Sequence, residues 1–139
     1  MSIVWRVDAA SALADLTEIS SQIEAAVVVD GDGAALASTR AGEPGTERLV
    51  RAGLDLLEAA ESRFGRSGRG VTQLEVAMRE GSVFVAREDG FGIVARTSAN
   101  PSSGLVFYDL RTCLRSVAQG APKPGRRTAR KKKEETADA

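Results

Sequence analysis

The stretch Gly104-Leu-Val-Phe-Tyr-Asp-Leu-Arg-Thr-Cys-Leu-Arg115 closes the pattern of elements that decides the fold of this chain. At about 100° per residue, its apolar side chains and those just after it fall within one arc of about 140°: Val106, Phe107, Leu110, Cys113, Leu114, Val117 and Ala118. The opposite side carries Asp109, Thr112, Arg115 and Ser116. This spacing predicts an amphipathic helix with one side against the core.

Three short strands are predicted immediately before this helix. Residues 71–79 alternate between two faces, as a strand with one buried face does. Glu80-Gly81 turns the chain into residues 82–88, and Asp89-Gly90 turns it again into residues 91–98. Strands joined by such short turns form an antiparallel meander.

The N-terminal part of the chain predicts a helix followed by a β-hairpin. Asp8 is expected to cap a helix over residues 9–21. Residues 25–30 form a continuous apolar run that predicts a strand buried on both faces. Asp30-Gly31-Asp32-Gly33 then predicts a tight turn into a returning strand at 34–40.

The longest helix is expected over residues 46–64. Its apolar side chains span an arc of about 160°, which is wider than a helix covering one sheet face requires. Gly53 lies inside this helix and costs roughly 1 kcal/mol relative to alanine, which predicts a close backbone approach there. A helix that packs on its own sheet and also on a symmetry mate would account for both features.

The order of elements is α-β-β-α-β-β-β-α. We expect an α+β fold with a five-stranded antiparallel sheet, the long helix on one face and the two terminal helices on the other. This order resembles the roadblock / dynein light-chain family, which includes the bacterial MglB-like proteins. The resemblance extends to residues 23–33, 80–85 and 104–106 and covers roughly residues 9–119, and we place the domain at residues 1–119.

Roadblock-family domains are non-enzymatic modules that dimerise and bind small Ras-like GTPases, and in MglB-like members the dimer regulates the nucleotide cycle of one GTPase. The resemblance therefore implies a homodimer and a small Ras-like GTPase as partner. It implies that the dimer contacts lie on the long helix and on the strand after it. This strand would pair with the edge of the partner's sheet to form one continuous sheet. The implied contact residues are Leu49, Ala52, Gly53, Leu56, Ala59, Ala60, Val71, Gln73, Glu75 and Ala77.

The residues give no sign of a catalytic, cofactor or metal site. The chain has no histidine, so the Ser-His-Asp and Cys-His arrangements and the commonest metal ligand are excluded. Cys113 lies on an apolar helix face and is expected to be a packed thiol. Asp30 does not begin a calcium loop, because Ala41 occupies the position where the bidentate Glu is needed. No Gly-Lys-Ser/Thr follows the glycine-rich loop 65–70, so the chain is not itself an NTPase.

The formal net charge of zero hides a strong asymmetry along the chain. Residues 1–121 contain 12 Arg, no Lys and 16 acidic residues, a net charge of −4, whereas residues 122–139 contain 7 basic and 3 acidic residues, a net charge of +4. The lone cysteine and the lack of an apolar run of about 18 residues or a signal peptide favour a cytoplasmic protein without a transmembrane segment. We expect residues 120–139 to form a disordered basic tail, because they have no large apolar residue to bury.

Two other functions remain open at this point. The chain could be a structural dimerisation module of a cytosolic or membrane-surface assembly. It could also be a nucleoid-associated protein whose tail contacts nucleic acid or an anionic surface without sequence specificity. The residues expected to make such a contact are Lys123, Arg126, Arg127, Arg130, Lys131, Lys132 and Lys133.

Overall fold

The computed structural model describes residues 2–40, 42–65 and 70–120. Their elements follow in the order α1 (Ser2–Ile19), β1 (Ile23–Val29), β2 (Ala35–Ser38), α2 (Pro44–Phe64), β3 (Gln73–Ala77), β4 (Ser82–Glu88), β5 (Phe91–Thr97) and α3 (Ser103–Gly120). This order confirms the α-β-β-α-β-β-β-α prediction. None of the described helices is both long and apolar enough to cross a membrane.

The five strands form one sheet in the order β2-β1-β5-β4-β3, and every neighbouring pair is antiparallel. The hairpin β1–β2 and the meander β3–β4–β5 are both as predicted. They meet at the centre of the sheet, where Val27 of β1 is paired with Val94 of β5. β2 and β3 are therefore the two edge strands.

The turns between strands follow from their local residue types. Asp89 and Gly90 have φ values of 57° and 85°, the left-handed pair that a two-residue hairpin turn needs. In the first hairpin, Asp30 Oδ1 accepts hydrogen bonds from the backbone N–H groups of Asp32, at 2.9 Å, and Ala34, at 3.0 Å. The Asp30 carboxylate thus holds the turn together, which agrees with a hairpin and not with a calcium loop.

Helices cover both faces of the sheet, as the sequence predicted. On one face, Leu49 and Leu57 of α2 pack against a cluster that includes Val83, Val85 and Val94. On the other face, α1 and α3 enclose a larger core: Ala12, Leu13, Leu16, Phe84, Ile93, Val106, Leu110 and Leu114. Burial on both faces explains why β1 and β5 consist almost entirely of apolar residues.

Several predicted boundaries were wrong. Asp8 lies inside α1 and does not cap it, because the helix begins at Ser2 and the first twenty residues contain neither Gly nor Pro to interrupt it. β3 is shorter than the expected 71–79. Its chain leaves the ladder at Met78, whose backbone N–H donates to the Gly81 carbonyl at 2.8 Å.

Asp109 was expected on the polar side of the last helix, and this was wrong as well. The residue is 8% exposed, because it lies just beside the apolar arc that faces the core. Burial raises the pKa of its carboxyl above the ordinary value. The predicted tail beyond Gly120 and residues 66–69 of the predicted loop lie outside the described residues.

Candidate interaction surface

The structure divides the predicted contact residues of α2 into two groups. Leu49 and Gly53 are buried against the sheet of their own chain. Ala60 is half-buried, whereas Ala52, Leu56 and Ala59 are exposed. At about 100° per residue these three exposed residues share one side of the helix, next to the buried stripe. We call them the apolar flank of α2.

Gly53 marks a close approach between α2 and the sheet. Its position lies directly against the side chains of Val94 and Val85. The predicted close backbone approach is therefore present, and it is made to the chain's own sheet. Packing on this sheet does not cover the whole apolar arc of the helix, because Leu56 remains 37% exposed and Phe64 77% exposed.

β3 offers an unpaired edge next to this helix. Its residues pair with β4 on one side, and no described strand lies on the other side. Leu74 packs on the α2 side of the sheet. Since side chains alternate along a strand, Gln73 and Glu75 point to the opposite side.

The side chains of Gln73 and Glu75 are held by α3. Arg111 Nη1 donates a hydrogen bond to Gln73 Oε1 at 2.5 Å, and Ser103 Oγ donates one to Glu75 Oε2 at 2.9 Å. Ala77 is exposed at the end of the strand. What β3 can present to a partner at its edge is therefore mainly its backbone N–H and C=O groups.

Val71, the remaining predicted contact residue, is tied to the body of the domain. Its backbone N–H donates to Glu61 Oε1 at 2.8 Å, and its carbonyl accepts hydrogen bonds from Nε and Nη2 of Arg87. Arg87 Nη2 also donates to Glu61 Oε1 at 2.8 Å. This cluster joins the last turns of α2 to β4 and fixes the chain where it enters β3. Sequence reasoning missed it, because the three residues are far apart along the chain.

A cleft of about 740 Å³ lies on the other side of α2. Leu54, Leu57 and Val94 contribute to its apolar floor, and the two turns at Asp30–Gly33 and Asp89-Gly90 contribute to its rim. We call it the turn cleft. It too was missed from the sequence, since four separate segments form it.

The groups that could carry chemistry are few among the described residues. No group of three or more Cys, Asp or Glu side chains there could hold a metal ion. Burial, together with the nearby negative charge of Asp15, raises the pKa of the Cys113 thiol to about 12. A thiol with this pKa is almost fully protonated at neutral pH and is a poor nucleophile, in agreement with a packing role. The seven basic residues from Lys123 to Lys133 that were expected to contact polyanions lie outside the described residues.

An antiparallel sheet in the order β2-β1-β5-β4-β3, with one long helix on one face and the two terminal helices on the other, is the fold of roadblock/LC7 domains. The gliding protein MglB from Thermus thermophilus has a TM-score of 0.68 with this chain and 14% identity, over 84% of this chain and 90% of MglB. The Roadblock/LC7 domain from Streptomyces avermitilis has a TM-score of 0.61 and 19% identity, over 75% of this chain and 89% of that domain.

A further similar structure is an MglB with a tetrameric arrangement. Its TM-score is 0.65 at 16% identity, over 80% of this chain and 85% of that one. No protein-family model and no curated protein sequence matches the chain. At these identities the similarity shows that the chain has the roadblock fold.

Proposed function

We propose that this chain is a non-enzymatic, cytoplasmic regulator or adaptor that forms a homodimer and binds a small Ras-like GTPase. The roadblock fold supports this proposal, because regulation and adaptation are what the resemblance to that family implies. The observation that carries it is the apolar flank of α2 (Ala52, Leu56 and Ala59) beside the unpaired edge of β3.

Two physical features make this a self-complementary surface. The edge of β3 leaves backbone donors and acceptors free to pair with the same strand of a second copy, which would extend the sheet through both chains. The flank beside it is built from small residues around Leu56, so two α2 helices can approach closely and remove that side chain from water. The tetrameric arrangement of one MglB supports the view that this fold assembles with itself.

GTPase binding is tested by a pull-down with a purified Ras-like GTPase loaded with GDP or with a non-hydrolysable GTP analogue. We expect the full-length chain to retain the GTPase in one nucleotide state more than in the other. The Leu56→Asp variant should lose this retention, because a dimeric surface is needed. A matched control is Ser62→Asp, which places the same charge at an exposed position of α2 off the apolar flank.

The same pull-down distinguishes this proposal from the alternative that the chain is a structural dimerisation module without a GTPase partner. It would form dimers that depend on Leu56 but would retain no GTPase in either nucleotide state.

The non-enzymatic part of the proposal has its own test. The purified chain alone should release no phosphate from GTP or ATP above a contaminant control, and turnover that co-purifies with the wild-type chain would contradict it.

A further inference from the structure

The turn cleft lies on the side of α2 that faces away from the apolar flank. Leu54 and Glu58 belong to its lining, and at about 100° per residue they lie well away from Leu56 around the helix. A dimer built on the apolar flank therefore leaves the cleft unused. Its floor is apolar and its rim is acidic, a combination that fits a cationic occupant.

Five acidic residues line the cleft, and two of them are engaged within the domain. Asp30 holds its own turn, and Glu88 Oε2 accepts a hydrogen bond from Arg115 Nε at 2.5 Å. The other three acidic residues have no cation within 4 Å in the described part of the chain: Asp32, Glu58 and Asp89.

Arg87 is the one cationic side chain among the described lining residues, and it is committed to Glu61 and to the carbonyl of Val71. The rim thus presents three carboxylates without a direct ion-pair partner around an apolar floor, and Asp89 interacts only at longer range with the charge of Arg115. Lysine and arginine fit such a surface, because their aliphatic stems cover apolar area while their charged ends stay at the rim.

The chain supplies a segment with this chemistry. All four lysines of the protein lie at positions 123–133, together with three arginines, whereas the body carries the opposite net charge. This basic segment has no large apolar side chain of its own, so lysine and arginine stems are what it can lay on the floor of the cleft.

The described chain ends with α3, on the opposite face of the sheet from the cleft. Arg115 on α3 bonds the side chain of Glu88, which points to the α3 face although its residue belongs to the cleft lining, and α3 continues from there for about 7–8 Å to Gly120. Extended chain from Gly120 to Lys133 spans up to roughly 40–45 Å. That length is enough to pass around the edge of the sheet and reach the α2 side.

We propose that the basic segment 123–133 binds the turn cleft of its own chain, with its cationic groups at Asp32, Glu58 and Asp89. Exposed ion pairs are individually weak, so the contact depends on several charges acting together on the apolar floor. The interaction falls with salt, since screening at about 1 M shortens the range of charge attraction to about 3 Å.

The distribution of lysine gives a direct test on the full-length chain. A water-soluble carbodiimide joins carboxylates to amines in contact, and apart from the N-terminus every amine lies in the basic segment. We expect mass-spectrometric mapping to find the lysines joined mainly to Asp32, Glu58 and Asp89, with the yield lost at 1 M salt. Equal amounts of ¹⁴N and ¹⁵N chains in one sample distinguish bonds within a chain from bonds between chains.

A matched pair of triple variants isolates the cleft. D32N/E58Q/D89N removes the three free carboxylates, and Asn tolerates the left-handed conformation at position 89. D15N/E18Q/E80Q removes the same charge from exposed acids outside the cleft. The first variant should lose the salt-dependent amide chemical-shift changes of cleft residues, and the second should keep them.

Three outcomes would overturn the proposal. They are coupling spread evenly over exposed acids, couplings of which about half join differently labelled chains (the share expected when all bonds form between chains), and identical salt titrations of the two variants. None of these outcomes contradicts the dimer proposed on the apolar flank or the GTPase proposal, which are tested separately with Leu56→Asp and the pull-down.

Discussion

Gly53 of α2 lies so close to Val94 of β5 that a Cβ atom at position 53 would stand 2.5 Å from Val94 Cγ1. Such a contact is far shorter than van der Waals distance, and Val94 has little room to move aside because it is fully buried in the cluster between α2 and the sheet. The glycine therefore sets how closely the helix layer lies on the sheet.

Gly53→Ala should destabilise the domain. The better helix propensity of alanine is worth up to about 1 kcal/mol, whereas overpacking typically costs 1–3 kcal/mol and a 2.5 Å contact belongs in the upper part of that range, so we expect a net loss of about 1–2 kcal/mol in the free energy of unfolding. Urea denaturation measures it. Gly45→Ala is the control, because a Cβ there meets nothing within 4 Å and should leave stability unchanged or raise it. Equal stability of Gly53→Ala and wild type would contradict the packing argument.

Leu56→Asp should weaken self-association without unfolding the chain. It places a charge on the apolar flank at a side chain that is already partly exposed, so the monomer tolerates it. We expect dimerisation at least about tenfold weaker, equivalent to about 1.4 kcal/mol. Light scattering across a concentration series measures this, with Ser62→Asp as the control. A wild-type protein that stays monomeric throughout the series would remove the dimer from the proposed function.

Cys113 should make stability fall at high pH. Its pKa is raised in the folded state to about 12, so the folded chain retains the thiol proton at pH values where the unfolded chain, with an ordinary pKa near 8.5, has lost it. This contribution is complete below about pH 8.5 and declines by at most about 1.4 kcal/mol per pH unit as the pH rises toward 12. Urea midpoints between pH 7 and 10 measure the slope, which Cys113→Ala should reduce.

The same burial predicts that a thiol reagent reacts slowly with native Cys113 at pH 8 and rapidly after denaturation. Rapid modification of the folded chain would show that the thiol is accessible.

Glu61→Gln should loosen the chain where it enters β3. The carboxylate accepts from both Arg87 and the Val71 amide, and the charge strengthens both hydrogen bonds. Both side chains are partly exposed, so the expected loss of stability is only about 1 kcal/mol or less. Hydrogen exchange at the Val71 amide is the sharper measurement and should accelerate. Glu47→Gln, on an exposed part of the same helix, should leave that amide unchanged.

Local sequence patterns predicted the layers of this fold, because turns and apolar helix faces are determined by residues that are close together in the sequence. Asp89-Gly90 specified a hairpin turn through its φ values, and the apolar arc of α3 specified its buried side. The same patterns failed where the burial of a side chain depends on which other element packs against it. Asp109 is beside the arc, and only the packing of the neighbouring elements decides that it is covered.

The contact surfaces were harder to predict for a related reason. The sequence marked α2 as too apolar for one sheet, but it could not assign Gly53 to the sheet and Leu56 to the surface, since this depends on how the helix is rotated over β5. The turn cleft and the Glu61–Arg87 pair each need segments that only the folded chain brings together.

The pairing of β1 with β5 has a consequence for how the chain folds. Each hairpin joins strands that are close in sequence, whereas the central seam of the sheet joins the beginning of the domain to its end. Pairing β1 with β5 requires the intervening chain to lose the conformational entropy of a long loop before the hydrogen bonds between the two strands form. Such long-range pairing is slow in β-rich topologies. The β3–β4–β5 meander can form before it, and a nascent chain that ends before Phe91 lacks the strand against which β1 is built.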